Sequence, residues 1–314
     1  MKFMAVNDLY FLSVMALTKL LSWLSSIRLR GFVARSIGLA AYWFLGNKRR
    51  LSKRNLSETF DGKLGESQVR RIIRKFYYEF WYDTFSLLPS TSERAAIKQM
   101  DFRGGEHLQK ALKDGKGVIL WESSYFGRRI LSKQILHEHG FAIHQVHAEN
   151  HLLGGFMPSR SSATWIRDHV FKPFLEKSEK QFVSEIIYLP DSDSLTFTRV
   201  LLNQLKQNGI VCLPGGGMYA RKFIPTKFLG RPISFSTGII SLARISGASL
   251  LPMFCILERN GKTSLIIEPP ISIESNVDRE YGIENGVNQY ISLLESYIRI
   301  YPEQYRNWHF FRLP

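Results

Sequence analysis

The sequence predicts an α/β protein in which a mostly parallel central sheet is flanked by helices and preceded by an amphipathic membrane helix. Three observations carry this prediction. Beyond residue 100, short apolar runs alternate with longer helical patterns, the order that builds parallel βαβ units. The runs themselves, Val118-Ile119-Leu120-Trp121 among them, are continuous, as in strands buried on both faces. At the start of the chain the longest apolar segment, residues 9–27, is followed at once by a basic stretch.

In "LYFLSVMALTKLLSWLSSI" (9–27), Leu9, Leu12, Ala16, Leu20, Trp23 and Ile27 recur at helical spacing, with Lys19, Ser22 and Ser26 off that face. Lys19 and the scattered hydroxyls make the segment too polar for a membrane span. It is expected to lie in the interface with Trp23 at headgroup depth. From Arg28 to Arg54 there are eight Lys or Arg and no Asp or Glu. Charge that follows the apolar run, with no small-residue cleavage site, argues against a signal peptide.

Residues 33–45 and 66–89 read as further helices. The second carries Phe76, Tyr77, Tyr78, Phe80, Trp81 and Tyr82, a stripe expected in the core or against acyl chains. "HLQKALKDGKG" reads as a helix ended by glycine, "VILW" as a buried strand, 128–139 as a helix and "GFAIHQVH" as a strand. A helix around 164–179 leads to the strand "SEIIYLP", the helix "SLTFTRVLLNQLKQNG" and the strand "IVCLP". The helix "STGIISLARISG", with Ser236 or Thr237 as N-cap, the strands "SLLPMFCILE" and "TSLIIEPP", and a closing helix over 284–300 complete the order. No repeat or long linker interrupts it. The chain divides into a membrane-anchoring helical region, 1–46, and one α/β domain, 47–314.

With 314 residues, 45% hydrophobic and 22% charged, the chain is an ordinary globular protein, which excludes disordered and collagen-like classes. Its net charge of +15 calls for a polyanionic partner: nucleic acid, an anionic membrane, or an acidic carrier or substrate. Because the excess clusters beside the apolar segment, the expected partner is anionic membrane lipid and not nucleic acid. Cys212 and Cys255 are the only cysteines, and each sits in an apolar run. Neither a metal site nor a disulfide framework is implied.

Two stretches carry candidate chemistry. In "GVILWESSYFGRRI" (117–130) a buried strand gives way to Glu122, Ser123 and Ser124, then to Tyr125, Gly127, Arg128 and Arg129. In "LPGGGMYARKF" another strand ends in Gly215, Gly216 and Gly217, with Arg221 close behind. Consecutive glycines let backbone approach an anion, and Arg221 supplies charge. No P-loop, dinucleotide fingerprint or Gly-x-Ser-x-Gly elbow is present.

Several blocks, in order, resemble the lipid A late acyltransferase family of the lysophospholipid acyltransferase-like superfamily. They are "KRRLSKRNLSETF" (48–60), "FRGGEHLQKALKDGKGVIL" (102–120), "LNQLKQNGIVCLPGGG" (202–217), "ARKFIPTKFLGRPISFSTGIISLARISGASLLPMF" (220–254) and "IIEPPI" (266–271). The resemblance implies a monotopic or peripheral enzyme on the cytoplasmic face of a bacterial inner membrane. It would move an acyl group from acyl carrier protein or acyl-CoA to a phosphorylated lipid or glycolipid, with no cofactor.

The family carries His-x4-Asp/Glu after the strand that corresponds to 117–121, the histidine serving as general base. Here those positions hold Ser124 and Arg129 or, with one inserted residue, Tyr125 and Ile130. A His-x4-Glu string at His144 and Glu149 sits one unit later, and His147 near that strand's exit could reach the pocket. Three readings of the departure stand. Glu122 replaces the base, its pKa raised by desolvation, with Ser124 or Tyr125 positioning the acceptor or acting as a covalent relay. Alternatively Arg128 and Arg129 bind phosphate or carboxylate of a changed substrate. Or catalysis is lost and only lipid or carrier binding remains. On the acceptor side the resemblance points to Gly215, Gly216, Gly217 and Arg221.

Overall fold

A computed structural model describes residues 6–24, 26–148, 165–189, 194–215, 222–273 and 278–308. Four helices come first: α1 (Val6–Trp23), α2 (Ile27–Phe44), α3 (Gly46–Thr59) and α4 (Glu66–Phe85). The α/β order then runs α5 (Thr91–Lys98), β1 (Asp101–Arg103), α6 (Gly105–Lys113), β2 (Val118–Ser123), α7 (Arg129–Glu138) and β3 (Ile143–Ala148). A π-helical turn, Arg167–Phe171, leads into α8 (Lys172–Glu179), followed by β4 (Glu185–Leu189), α9 (Ser194–Lys206) and β5 (Ile210–Gly215). A hairpin of β6 (Phe223–Phe228) and β7 (Arg231–Ser236) precedes α10 (Gly238–Ser246), β8 (Ser249–Leu257), β9 (Thr263–Ile267) and α11 (Arg279–Ile300).

Seven strands form one sheet in the order β1-β9-β8-β2-β5-β3-β4. Every neighbouring pair is parallel except β8–β9, so the mostly parallel α/β fold is as expected. Both faces are covered. On one face Ile119, Trp121, Val211 and Phe254 pack with Tyr290 and Leu294 of α11. On the other, Val118, Leu120, Cys212 and Cys255 pack with Leu131 and Ile135 of α7. The two free, buried cysteines are core residues.

A third cluster joins α1, α2 and α4. Phe11, Val14 and Leu21 of α1 pack with Phe80, Trp81 and Phe85 of α4 and with Phe171. The predicted interfacial stripe is the other side of the same helix: Leu9, Leu20 and Trp23 are exposed, Trp23 by 79%. Apolar side chains thus occupy both the buried and the exposed sides of the helix, with Ser13 and Lys19 also exposed. Its neighbour α2 exposes Phe32, Trp43 and Phe44. It is held to the body by Arg30, whose buried guanidinium meets Glu93 at 2.8 Å. Among the described residues no helix is long and apolar enough to cross a membrane.

Candidate functional site

β2 and β5 lie side by side, with Glu122 opposite Pro214 and Ser123 opposite Gly215. The turn after β2 and the glycine run after β5 therefore leave the sheet at the same end, where ligands sit in open α/β sheets. The Ser124 amide donates to the Gly215 carbonyl at 2.8 Å, tying the two exits together. Strand alternation sends Glu122 to the α7 face and Trp121 to the α11 face.

On the α7 face a buried polar chain runs from β2 to α8. Glu122 Oε1 accepts from Arg129 Nη2 at 2.8 Å and from Gln145 Nε2 at 3.1 Å, and Lys133 Nζ stands 3.9 Å away. Arg129 and Lys133 are one helical turn apart, which places both over the same carboxylate. Lys133 Nζ also reaches Glu179 Oε1 at 3.1 Å, and Glu179 Oε2 meets His147 Nε2 at 2.6 Å. Gln145 and His147 share a face of β3 because they are two residues apart.

The charges in this chain hold one another. Burial pushes the Glu122 carboxyl up, but Arg129 and Lys133 together pull it down by more, so it lies below the ordinary carboxylate value. The Glu179 carboxyl goes the same way: burial raises it, and Lys133 and His147 bring it well below that value. Burial lowers Arg129 and Lys133, yet Glu122 and Glu179 leave both above their ordinary values. This reverses the expectation that desolvation makes Glu122 a base, because a depressed carboxyl is a poor proton acceptor.

His147 is different. An ionised carboxylate can only accept, so the Nε2–H donates to Glu179 and a neutral ring keeps its Nδ1 lone pair available. At 22% its side chain is the most exposed of the chain, against 3% for Glu122 and 16% for Glu179. Glu122 Oε2, Arg129 Nε and Gln145 Oε1 are buried and have no hydrogen-bond partner among the described residues.

The other predicted residues are distributed more widely. Arg128 and Arg129 do not converge. Gly127 adopts φ +74, and a Cβ there would lie 2.4 Å from the Cys255 carbonyl oxygen. That turn sends Arg128 to α4, where Nε and Nη2 each lie 2.9 Å from Glu79 Oε2, Nη1 donates to Thr263 Oγ1 at 2.7 Å, and the guanidinium covers the Tyr82 ring. Tyr125 is buried in the main core, its carbonyl accepting from the Arg306 amide. Ser124 is half-buried. Gly215 makes room for an indole: a Cβ would come 1.7 Å from Trp121 Nε1, and Trp121 stacks on Tyr290 with centroids 3.7 Å apart. Gly216, Gly217, Arg221 and Glu149 lie outside the described residues. His144 pairs with Glu185 at 3.2 Å, at the opposite end of β3 from the site.

Lys133, Gln145 and Glu179 were not foreseen. Gln145 and His147, polar on alternate positions of a buried strand, were a readable signal. Glu179 gave none, because its partner lies 32 residues away.

The sequence profile of the bacterial lipid A biosynthesis acyltransferases matches residues 6–311, nearly the whole chain. The chain belongs to that family. It is also similar to phosphatidylinositol mannoside acyltransferase from two strains of Mycobacterium tuberculosis, each 25% identical over 188 residues. Those matches cover 59% of this chain and 53% of the relatives, so the chain spans about half the length of the curated relatives it matches. Within the family, this member carries Ser124 or Tyr125 where the resemblance calls for histidine, beside a carboxylate locked between two cations.

Proposed function

We propose that the chain is a bilayer-associated acyltransferase in which His147, oriented by Glu179, is the general base. The His147–Glu179 contact, at the strand end where this fold binds ligands, carries the proposal. The donor in this reading is a thioester, acyl carrier protein or acyl-CoA, and the acceptor a hydroxyl of a phosphorylated lipid or glycolipid. Family membership and the acyltransferase relatives support that pairing. The exposed aromatic and basic residues of α1 and α2 support residence on an anionic leaflet, taken to be the cytoplasmic face of a bacterial inner membrane.

The His147 Nδ1 would take the proton of the acceptor hydroxyl as its oxygen attacks the thioester carbonyl carbon. The new C–O bond forms, the C–S bond breaks, and the imidazolium returns the proton to the departing thiolate. Glu179 stabilises the imidazolium, and Lys133 holds Glu179. Glu122 and Arg129 act one step back, fixing Lys133 and the start of α7. Ser124, at the rim, would orient the acceptor hydroxyl. Gly216, Gly217 and Arg221, next in sequence after β5, would serve its phosphate.

A second reading has its own support. Arg129, aligned with the family's carboxylate, is committed to Glu122, as expected of a fold kept for binding lipid or carrier. Mass spectrometry of products from purified protein, acyl-ACP or acyl-CoA, and phosphorylated glycolipid acceptors separates the two. Acylated acceptor supports transfer. Saturable lipid or carrier binding with no product across the panel refutes it.

A further inference from the structure

A cavity whose lining includes neither His147 nor Glu179 is present in the fold. A cleft of about 1230 Å³ opens between α2, α4 and the β8–β9 turn, with Arg128 and Thr263 in its wall. Its volume exceeds the roughly 300–1,000 Å³ of common small-molecule sites. Three of its cations are neutralised from nearby: Arg70 by Glu66, Lys75 by Glu303 and Arg128 by Glu79. Five more, Arg28, Arg35, Arg71, Arg74 and Arg259, have no carboxylate within ion-pair distance among the described residues. Glu258, the one acidic residue of the lining among the described residues, is already engaged by Arg103.

Arg35 and Arg74 lie over the rings of Tyr78 and Tyr42, which leaves their charge unneutralised. Five guanidiniums without a carboxylate around one concavity repel each other, and an anion that neutralises several at once relieves that cost. Guanidinium forks match phosphate oxygens in pairs, which favours phosphate over a simple halide. Ile27 and Leu39 line the same cleft, and α2, which carries both, also exposes Phe32, Trp43 and Phe44. A ligand seated here meets cations and the apolar side chains of Ile27 and Leu39 in one lining, the arrangement that suits a phosphate carried on a lipid.

We infer that this cleft binds the phosphate headgroup of an anionic lipid, anchoring the protein at a site separate from the catalytic pair. The inference shares the bilayer association proposed above but does not depend on catalysis, so its test reads binding alone.

Full-length protein is floated with phosphatidylcholine vesicles with and without one-fifth phosphatidylglycerol. Arg71→Glu with Arg259→Glu reverses two exposed charges of the cleft. Lys110→Glu with Lys113→Glu makes the same charge change on exposed α6 positions. Arg71→Ser with Arg259→Ser is the milder companion should the reversal impair folding, which melting curves report. The cleft reversal is expected to lower partitioning onto phosphatidylglycerol vesicles at least tenfold, the α6 reversal less than twofold, and His147→Ala not at all. Equal losses from both reversals would make the attraction diffuse and overturn the site. Inorganic pyrophosphate separates the sources of phosphate. If it saturates the cleft while vesicle binding ignores the cleft variants, the ligand is a soluble phosphate ester and the lipid assignment falls.

Discussion

Removing the Glu122 carboxylate is the sharpest test of the buried polar chain. Glu122→Ala leaves Arg129, which it contacts at 2.8 Å, and Lys133, 3.9 Å away, facing each other with Glu179 as the sole remaining counter-charge among the described residues. Burial lowers the pKa of both cations and Glu122 is the leading cause that raises them, so in the variant Glu179 is the remaining carboxylate that favours their charged forms. Deleting one partner of a buried pair costs about 3–5 kcal/mol, because the other is left uncompensated. Against a total stability of about 5–15 kcal/mol this is a large fraction. At roughly 2 °C per kcal/mol for a chain of this size, the melting temperature falls by about 6–10 °C. Replacing both members, Glu122→Leu with Arg129→Leu, removes the orphaned charge and is expected to recover at least half of the loss. Urea and thermal unfolding of wild type and the two variants measure this. A single variant within about 1 kcal/mol of wild type, or a double variant worse than the single, would refute the idea that the ions compensate one another.

Other consequences are as specific. Glu122 and Glu179 have folded-state pKa values below the ordinary 4.5. Their contribution to stability is complete above that value and is lost as pH falls through the folded pKa values. Urea midpoints should therefore be flat from neutral pH to about 5 and drop in more acidic buffer, less steeply in Glu179→Gln. Gly215→Ala forces the Trp121 indole off Tyr290. A cost of about 1–3 kcal/mol and a changed near-UV circular dichroism spectrum are expected, and an unchanged spectrum would contradict the packing. Trp23→Ser with Phe44→Ser should reduce vesicle partitioning about tenfold or more, since burying one such ring gains roughly 1.5–3 kcal/mol. Equal flotation of variant and wild type would remove α1 and α2 from the membrane contact.

Much of the α/β order was legible because strands buried on both faces appear as apolar runs, and β2, β5 and β8 do so. What escaped had physical reasons. The basic block 48–60 lies largely in α3, whose buried face is Ser52, Asn55, Leu56 and Thr59, so no apolar stripe marked it. Asn55 is buried because it donates to the Trp308 carbonyl, 253 residues away. The β6–β7 hairpin holds Pro225 and Pro232, residues that demote a strand pattern. In α1 the apolar spacing was visible, but the helix carries apolar residues on more than one side, and packing on α4 selected Phe11, Val14 and Leu21. At the site, Arg128 and Arg129 are neighbours in sequence and opposites in space, separated by the turn at Gly127. Glu122 was identifiable as a carboxylate at a strand end. Its two cations arrive from α7, and only the fold reveals that they lower its pKa.

The central claim, that His147 has taken over the proton transfer of the family's missing histidine, is tested most directly by the turnover of His147→Gln. The assay follows acyl transfer from acyl-ACP to a phosphorylated glycolipid on vesicles, with melting temperature and vesicle binding recorded for each protein. General-base catalysis contributes about 10²–10⁴-fold. The account predicts that kcat falls at least a hundredfold while donor KM, melting temperature and flotation stay near wild type. A His147→Gln protein that turns over within twofold of wild type would contradict it.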